Sequence, residues 1–169
     1  MKLKLREIII FAFLGVIMFI SKLVMDVLPN VHLIGAFTIA FTVIYRRKAL
    51  YPIYVFVLLT GIYGGFNLWW LPYLYIWTIL WGVVMLLPKK MPDAVSAVVY
   101  VVVCGLHGLL FGILYAPAQA LMFGLNFEQT AAWIAAGLPY DLIHCVSNLL
   151  AGVLILPIVK ILKLAYRGV

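Results

Sequence analysis

Acidic side chains are scarce in this chain: five Asp and Glu stand against twelve Lys and Arg in 169 residues. Charged residues make up 10% of the sequence and hydrophobic ones 67%, with a mean hydropathy of +1.21. That leaves too little polar surface to coat a soluble globule and no segment for a soluble domain. Cysteine is limited to Cys104 and Cys145, both inside apolar stretches, so no disulfide framework is implied and both read as buried small side chains. Walker, nucleophile-elbow and zincin motifs are all missing, which argues against ATP hydrolysis by this chain and against an enzyme; Ser147 and Cys145 have no hydrolase motif around them. His32, His107, His144, Cys104, Cys145 and Asp141 do not form a tight ligand set, so neither metal nor other cofactor is expected. The first apolar run follows basic residues, as in a signal peptide. Yet Ser21-Lys22-Leu23 makes a poor cleavage site and the run continues to Leu28, so a retained helix is expected. No internal repeat is convincing, since the three pairs of helices differ in loop length and polar content, so an inverted-repeat transporter is not expected.

The chain does contain long apolar stretches punctuated by four basic clusters: Lys2, Lys4 and Arg6; Arg46, Arg47 and Lys48; Lys89 and Lys90; and Lys160, Lys163 and Arg167. Lys22 alone falls outside them. The turns around Pro29, from Asn67 to Pro72, and from Pro117 to about Ala131 carry no Lys or Arg. Cationic loops stay on the cytoplasmic side, so this asymmetry predicts an even number of crossings with both termini cytoplasmic. Basic residues at the ends of apolar spans suit membrane orientation and anionic lipid rather than nucleic acid.

A hydrocarbon core of about 30 Å needs roughly 20 helical residues. The spacing predicts an all-α integral membrane protein, a compact six-helix bundle forming one transmembrane domain over residues 1–169. Its spans are expected at about 7–28, 31–45, 49–66, 70–88, 94–116 and 138–160. Pro117 is expected to end the fifth helix, leaving residues 118–137, with Gln119, Asn126, Glu128 and Trp133, as a long, partly helical external connection. The irregular backbone then gathers on the outer side, where an importer captures its cargo.

Three places hold polar groups that are costly in lipid. Asp141, His144 and Asn148, three and four residues apart, share one helical face. Inside a span such a face serves either as a hydrogen-bonded clamp between helices or as a ligand-binding wall, with Asp141 as a charge partner. His107 lies beside the small-residue row Cys104, Gly108 and Gly112, a packing device by default. The aromatic turn from Tyr63 to Tyr73, with Asn67, Trp69, Trp70 and Tyr73 and continued by Tyr75, Trp77 and Trp81, is either an interfacial belt or a stacking surface for a flat heterocycle. Near the outer end of the first helix, Lys22 and Asp26 form an i,i+4 pair and His32 follows. They are either a self-satisfied ion pair or a gate or charged wall of the same pocket.

Two stretches carry a family resemblance: the opening Arg6-Glu7-Ile8-Ile9-Ile10-Phe11-Ala12-Phe13-Leu14-Gly15 and the closing Gly137-Leu138-Pro139-Tyr140-Asp141-Leu142-Ile143-His144-Cys145-Val146-Ser147-Asn148. Over nearly its whole length the chain resembles the substrate-binding S components of energy-coupling factor (ECF) vitamin transporters. The resemblance implies a bacterial plasma-membrane protein that captures a vitamin or related micronutrient outside and topples against a transmembrane coupling subunit driven by two ATPases. It also implies a docking surface on the first helix at Ala12 and Val16, where the family's Ala-x-x-x-Ala has valine second here. The aromatic turn with Gln119, His107, His144 and Asn148 favours a planar nitrogen heterocycle: thiamine-like, a deazapurine, a pterin or a queuosine precursor. A rod-shape morphogenesis scaffold, also small and multi-spanning, is the alternative.

Overall fold

A computed structural model describes residues 3–167, with side chains to residue 165. Lys2 of the first basic cluster and the side chain of Arg167 in the last lie outside that description. The described chain is helical: α1 (Leu5–Met25), α2 (Ile34–Tyr45), α3 (Leu50–Gly64), α4 (Tyr73–Leu86), α5 (Asp93–Leu109), α6 (Phe111–Phe123), α7 (Phe127–Gly152) and α8 (Ile155–Arg167), with short 3-10 turns at Arg46–Ala49 and Leu68–Trp70.

Proline marks half of these eight starts. Pro52 and Pro157 occupy the first turns of α3 and α8, where a helix has no use for the missing N–H, while Pro72 and Pro92 sit immediately before α4 and α5. α1 shows how one face is buried. Glu7, Phe11, Gly15 and Met18 turn inward, while Ile8, Ile9, Phe13, Ile17, Ile20 and Val24 are left exposed. Comparable apolar faces on α5 (Val95, Val98, Val102, Leu106) and α7 (Leu142, Ile143, Val146, Leu150) are exposed as well. Lipid tails, unlike water, solvate such faces without penalty.

Twelve-residue α2 is the central rod, buried along nearly its whole length and touching α4, α5, α7 and α8. Around it, α5 packs most extensively on α7, and α1 on α3. Among the described residues four helical stretches are long and apolar enough to cross a membrane: Leu5–Met25, Leu68–Leu86, Asp93–Phe123 and Phe127–Gly152. At about 1.5 Å per residue, α2 alone measures roughly 18 Å.

Two expected boundaries need correction. The fifth helix does not end at Pro117; the break falls at Leu110 (φ −92°, ψ 4°), and α6 runs through the proline to Phe123. Pro117 removes one N–H, and the carbonyl of Leu114 beside the resulting gap accepts the Tyr75 hydroxyl at 2.7 Å. Residues 118–137 are therefore no long loop. Gly124, in the left-handed conformation (φ 64°), ends α6, and Asn126 opens α7 by exchanging hydrogen bonds with Gln129 at 2.9 Å each way. The sixth span, expected over 138–160, is instead α7 beginning at Phe127, a break at Val153–Leu154 and the separate α8.

The basic clusters converge on one end of the bundle. Glu7 accepts the Lys4 N–H at 3.1 Å and pairs with Lys48 of the α2–α3 turn. The Arg46 guanidinium donates to the Met85 carbonyl at the end of α4 (2.8 Å), and Lys160 of α8 lies 4.0 Å from Asp93 at the start of α5. The α1–α2 connection lies beyond the far end of α1 and is tied to α7 by Asn30, whose side-chain amide donates to the Tyr140 carbonyl at 3.3 Å.

Candidate functional site

Where the α1–α2 connection meets α4, α6 and α7, a polar hollow of about 270 Å³ opens. Lys22, Asp26 and the stretch from Leu28 to His32 wall one side of it. Tyr73, Phe111 and His144 wall the other. Lys22 and Asp26 bond to each other at 3.1 Å with Asp26 well exposed, so charge is confined to one wall. A screened pair of this kind is worth no more than about 1 kcal/mol.

Behind that lining sits a tight set of rings. His144 is 1% exposed and stands with its centroid 4.7 Å from the ring of His32 and 4.8 Å from that of Phe111. Trp77 lies 5.4 Å from His107, 5.9 Å from His32, 5.9 Å from Tyr73 and 6.0 Å from Phe111. Little of the polar edge of this set is used. His107 Nε2 lies 3.3 Å from the Ile76 carbonyl; since a carbonyl can only accept, that nitrogen carries the proton and Nδ1 is left as an acceptor. His107 Nδ1, His32 Nδ1, Trp77 Nε1 and both ring nitrogens of His144 are buried without a hydrogen-bonding protein partner. One turn along α7, Asn148 donates to the Cys104 carbonyl at 3.0 Å, and its Oδ1 is likewise unpaired.

Each buried polar group left without a partner costs about 1–3 kcal/mol. Several gathered in one place are hard to account for as packing. A flat molecule in the hollow would meet His32 and His144, which line it, with Tyr73 and Phe111 as stacking walls; His107, Trp77 and Asn148 stand behind that lining. Among the described residues no three His, Cys, Asp or Glu are disposed to hold a metal ion.

The expected site residues separate into groups. Tyr73, Trp77, His107, His144, Lys22, Asp26 and His32 meet in or behind the hollow. Asn148 is fully buried between α2, α5 and α7. Asp141 is not directed at the hollow: both its carboxylate oxygens accept the Gly112 N–H, at 3.1 and 3.2 Å, and so cap α6 where the α5–α6 helix breaks. Most of the aromatic turn serves structure. Trp70 donates to the Val57 carbonyl at 2.7 Å, Tyr75 to Leu114, and Trp69 packs edge-on against Tyr73 while its carbonyl accepts from Tyr115. Asn67 is exposed, and Gln119 lies along α6, outside the lining of the hollow. Ala12 is exposed and Val16 half-buried on α1. Sequence reasoning missed Phe111 and Asn30. Phe111 had no signal, because it reaches the hollow through the unforeseen break at Leu110; Asn30, next to Pro29 in a turn, could have been flagged.

His32 lies in the α1–α2 connection, outside the four long apolar helices. Burial holds its imidazole well below the ordinary value, at about 4, and the Lys22 charge adds to this; its own backbone hydrogen bond and Asp26 oppose it. The unfolded chain therefore takes up a proton between pH 6.5 and 4 that the folded chain refuses. The stability this confers is complete above about pH 6.5 and is lost progressively as the pH falls towards about 4, by at most about 3 kcal/mol. Melting curves of the purified protein at pH 7 and pH 5 should differ accordingly, and His32→Asn should flatten the dependence. An unchanged pH slope in that variant would contradict the assignment.

Helices arranged around a buried rod, with broad apolar outer faces, define the class as a helical membrane protein. No family model, curated protein or solved structure matches this chain.

Proposed function

We propose that this chain is the substrate-binding S subunit of an ECF-type importer. It crosses the plasma membrane six times, with both termini and the basic end of the bundle cytoplasmic. Its cargo is a planar nitrogen heterocycle of vitamin type, received in the hollow beneath the α1–α2 connection. The observation that carries this reading is the gathering of unpaired ring nitrogens of His32, His107, His144 and Trp77 among aromatic walls. Supporting it, the basic clusters share one end while the hollow lies against the connection beyond the far end of α1. That is the layout of a receptor loaded from outside and served by partners within. Coupling to transport would fall to a transmembrane partner and two ATPases, since no phosphate-binding loop occurs in this chain.

The test is a thermal-shift panel on the purified protein, using thiamine-like, pterin, deazapurine and queuosine-precursor compounds beside flexible, non-aromatic metabolites. A cargo present at about 100 times its Kd stabilises the folded form by about 2.7 kcal/mol, which is a shift of several degrees. Planar compounds alone should produce it. If none does, and cells carrying Trp77→Ala grow normally on every limiting micronutrient, the importer reading falls and a scaffold takes its place.

A further inference from the structure

The basic end of the bundle carries a feature that cargo binding does not use. Arg46 has a positive backbone φ (51°, with ψ −119°), which is rare for a residue with a Cβ. Two bonds hold it there: Trp81 donates its indole N–H to the Arg46 carbonyl at 3.0 Å, and the Arg46 guanidinium donates to the Met85 carbonyl at 2.8 Å. Its Nε remains buried and unpaired. The guanidinium thus stands at a cleft of about 590 Å³ shared with Arg47, Lys48 and Lys89, and no acidic residue lines it. Arg47 also lines a second hollow of about 660 Å³ on α3, walled by Leu50, Tyr51, Tyr54, Val55 and Leu58. From residue 50 to 58 that groove follows the helix for about 12 Å.

We infer that the cleft and groove together form a site for one anionic phospholipid, its phosphate among Arg46, Arg47 and Lys89 and one acyl chain along α3. The two halves meet at Arg47, and a cationic pocket adjoining an apolar furrow complements a molecule whose anion is joined to a hydrocarbon chain. Half-exposed Tyr51, in the first turn of α3, lines the groove together with Arg47, where an amphipathic ring suits the boundary of headgroup and tail. This site is separate from the hollow at the α1–α2 connection and does not depend on the cargo reading.

The full-length protein, equilibrated with mixed micelles of phosphatidylglycerol and phosphatidylcholine, would be analysed by native mass spectrometry. Phosphatidylglycerol should be retained in preference, and Arg47→Gln with Lys89→Gln should lower its retention on the order of tenfold. Lys160→Gln with Lys163→Gln, basic residues outside the cleft, should leave it unchanged. Leu58→Trp, which fills the groove, should also cut retention. Unaltered melting curves would show that each variant is folded. Equal losses from both cation pairs would mean diffuse attraction and overturn the site. Displacement of the lipid by an equal concentration of glycerol phosphate would assign the cleft to a soluble phosphate instead. No preference for phosphatidylglycerol would leave the cations to an acidic protein surface, and this too overturns the proposal.

Discussion

Gly108→Val is expected to lower the stability of the protein by about 3 kcal/mol, the upper end of the range for overpacking. α5 and α7 make the most extensive contact in the molecule, and they approach so closely because the α5 face is nearly bare. A Cβ added at Gly108 would stand 2.7 Å from the His144 carbonyl oxygen and 2.9 Å from the Asn148 side-chain nitrogen. The first obstacle is backbone, so no rotamer change can relieve it. Cβ atoms added at Gly105 and Gly112 would likewise run into Leu149 and the Asp141 carboxylate on α7. Shifting α7 to admit a valine would therefore strain neighbouring contacts together. At roughly 2–4 °C per kcal/mol for a chain of this size, the apparent Tm should fall by roughly 6–12 °C. Gly82, whose Cβ would meet nothing within 4 Å, supplies the control: Gly82→Ala should melt with the parent or slightly above it. Equal melting of Gly108→Val and the parent would mean that the two helices are not held at this distance.

Two parts of the fold were legible for identifiable reasons. Apolar runs interrupted by basic clusters are governed by one rule of membrane insertion, and the clusters do meet at one end of the bundle. The face formed by Asp141, His144 and Asn148 follows from helical spacing alone, and all three side chains are buried. The break at Leu110 was not legible, because leucine is a good helix former and nothing local stops the helix there. It depends on a carboxylate 29 residues further on that takes the Gly112 N–H. Pro117 misled for the converse reason: its local penalty is real, since it leaves the Ile113 carbonyl without its usual N–H, yet α6 continues through it to Phe123. The division of the aromatic turn was hidden too. Trp70, Tyr75 and Trp77 are equally apt to line a pocket, and which of them bonds to a carbonyl and which stands beside the histidines depends on how α4 is rotated against α2 and α6.

His144→Phe should raise the stability of the unliganded protein while weakening capture of the proposed planar cargo on the order of 100-fold. The substitution keeps a flat ring between His32 and Phe111, so packing is largely retained. It removes two buried nitrogens that no protein group satisfies, each of which costs about 1–3 kcal/mol. A gain of about 2 kcal/mol is expected for the empty protein. Cargo affinity should move the other way. Two hydrogen bonds to a ligand in a dry site are worth about 3 kcal/mol together, so binding should weaken on the order of 100-fold. This opposition of sign separates a binding residue from a clamp. An interhelical clamp would lose stability when its nitrogens are removed, with no ligand effect to accompany the loss. Isothermal calorimetry with the compound found by the thermal panel, set beside melting curves of the empty protein, reads both quantities on the same samples. A variant that melts lower and binds as well as the parent would make His144 structural. The unpaired nitrogens would then need an explanation other than cargo.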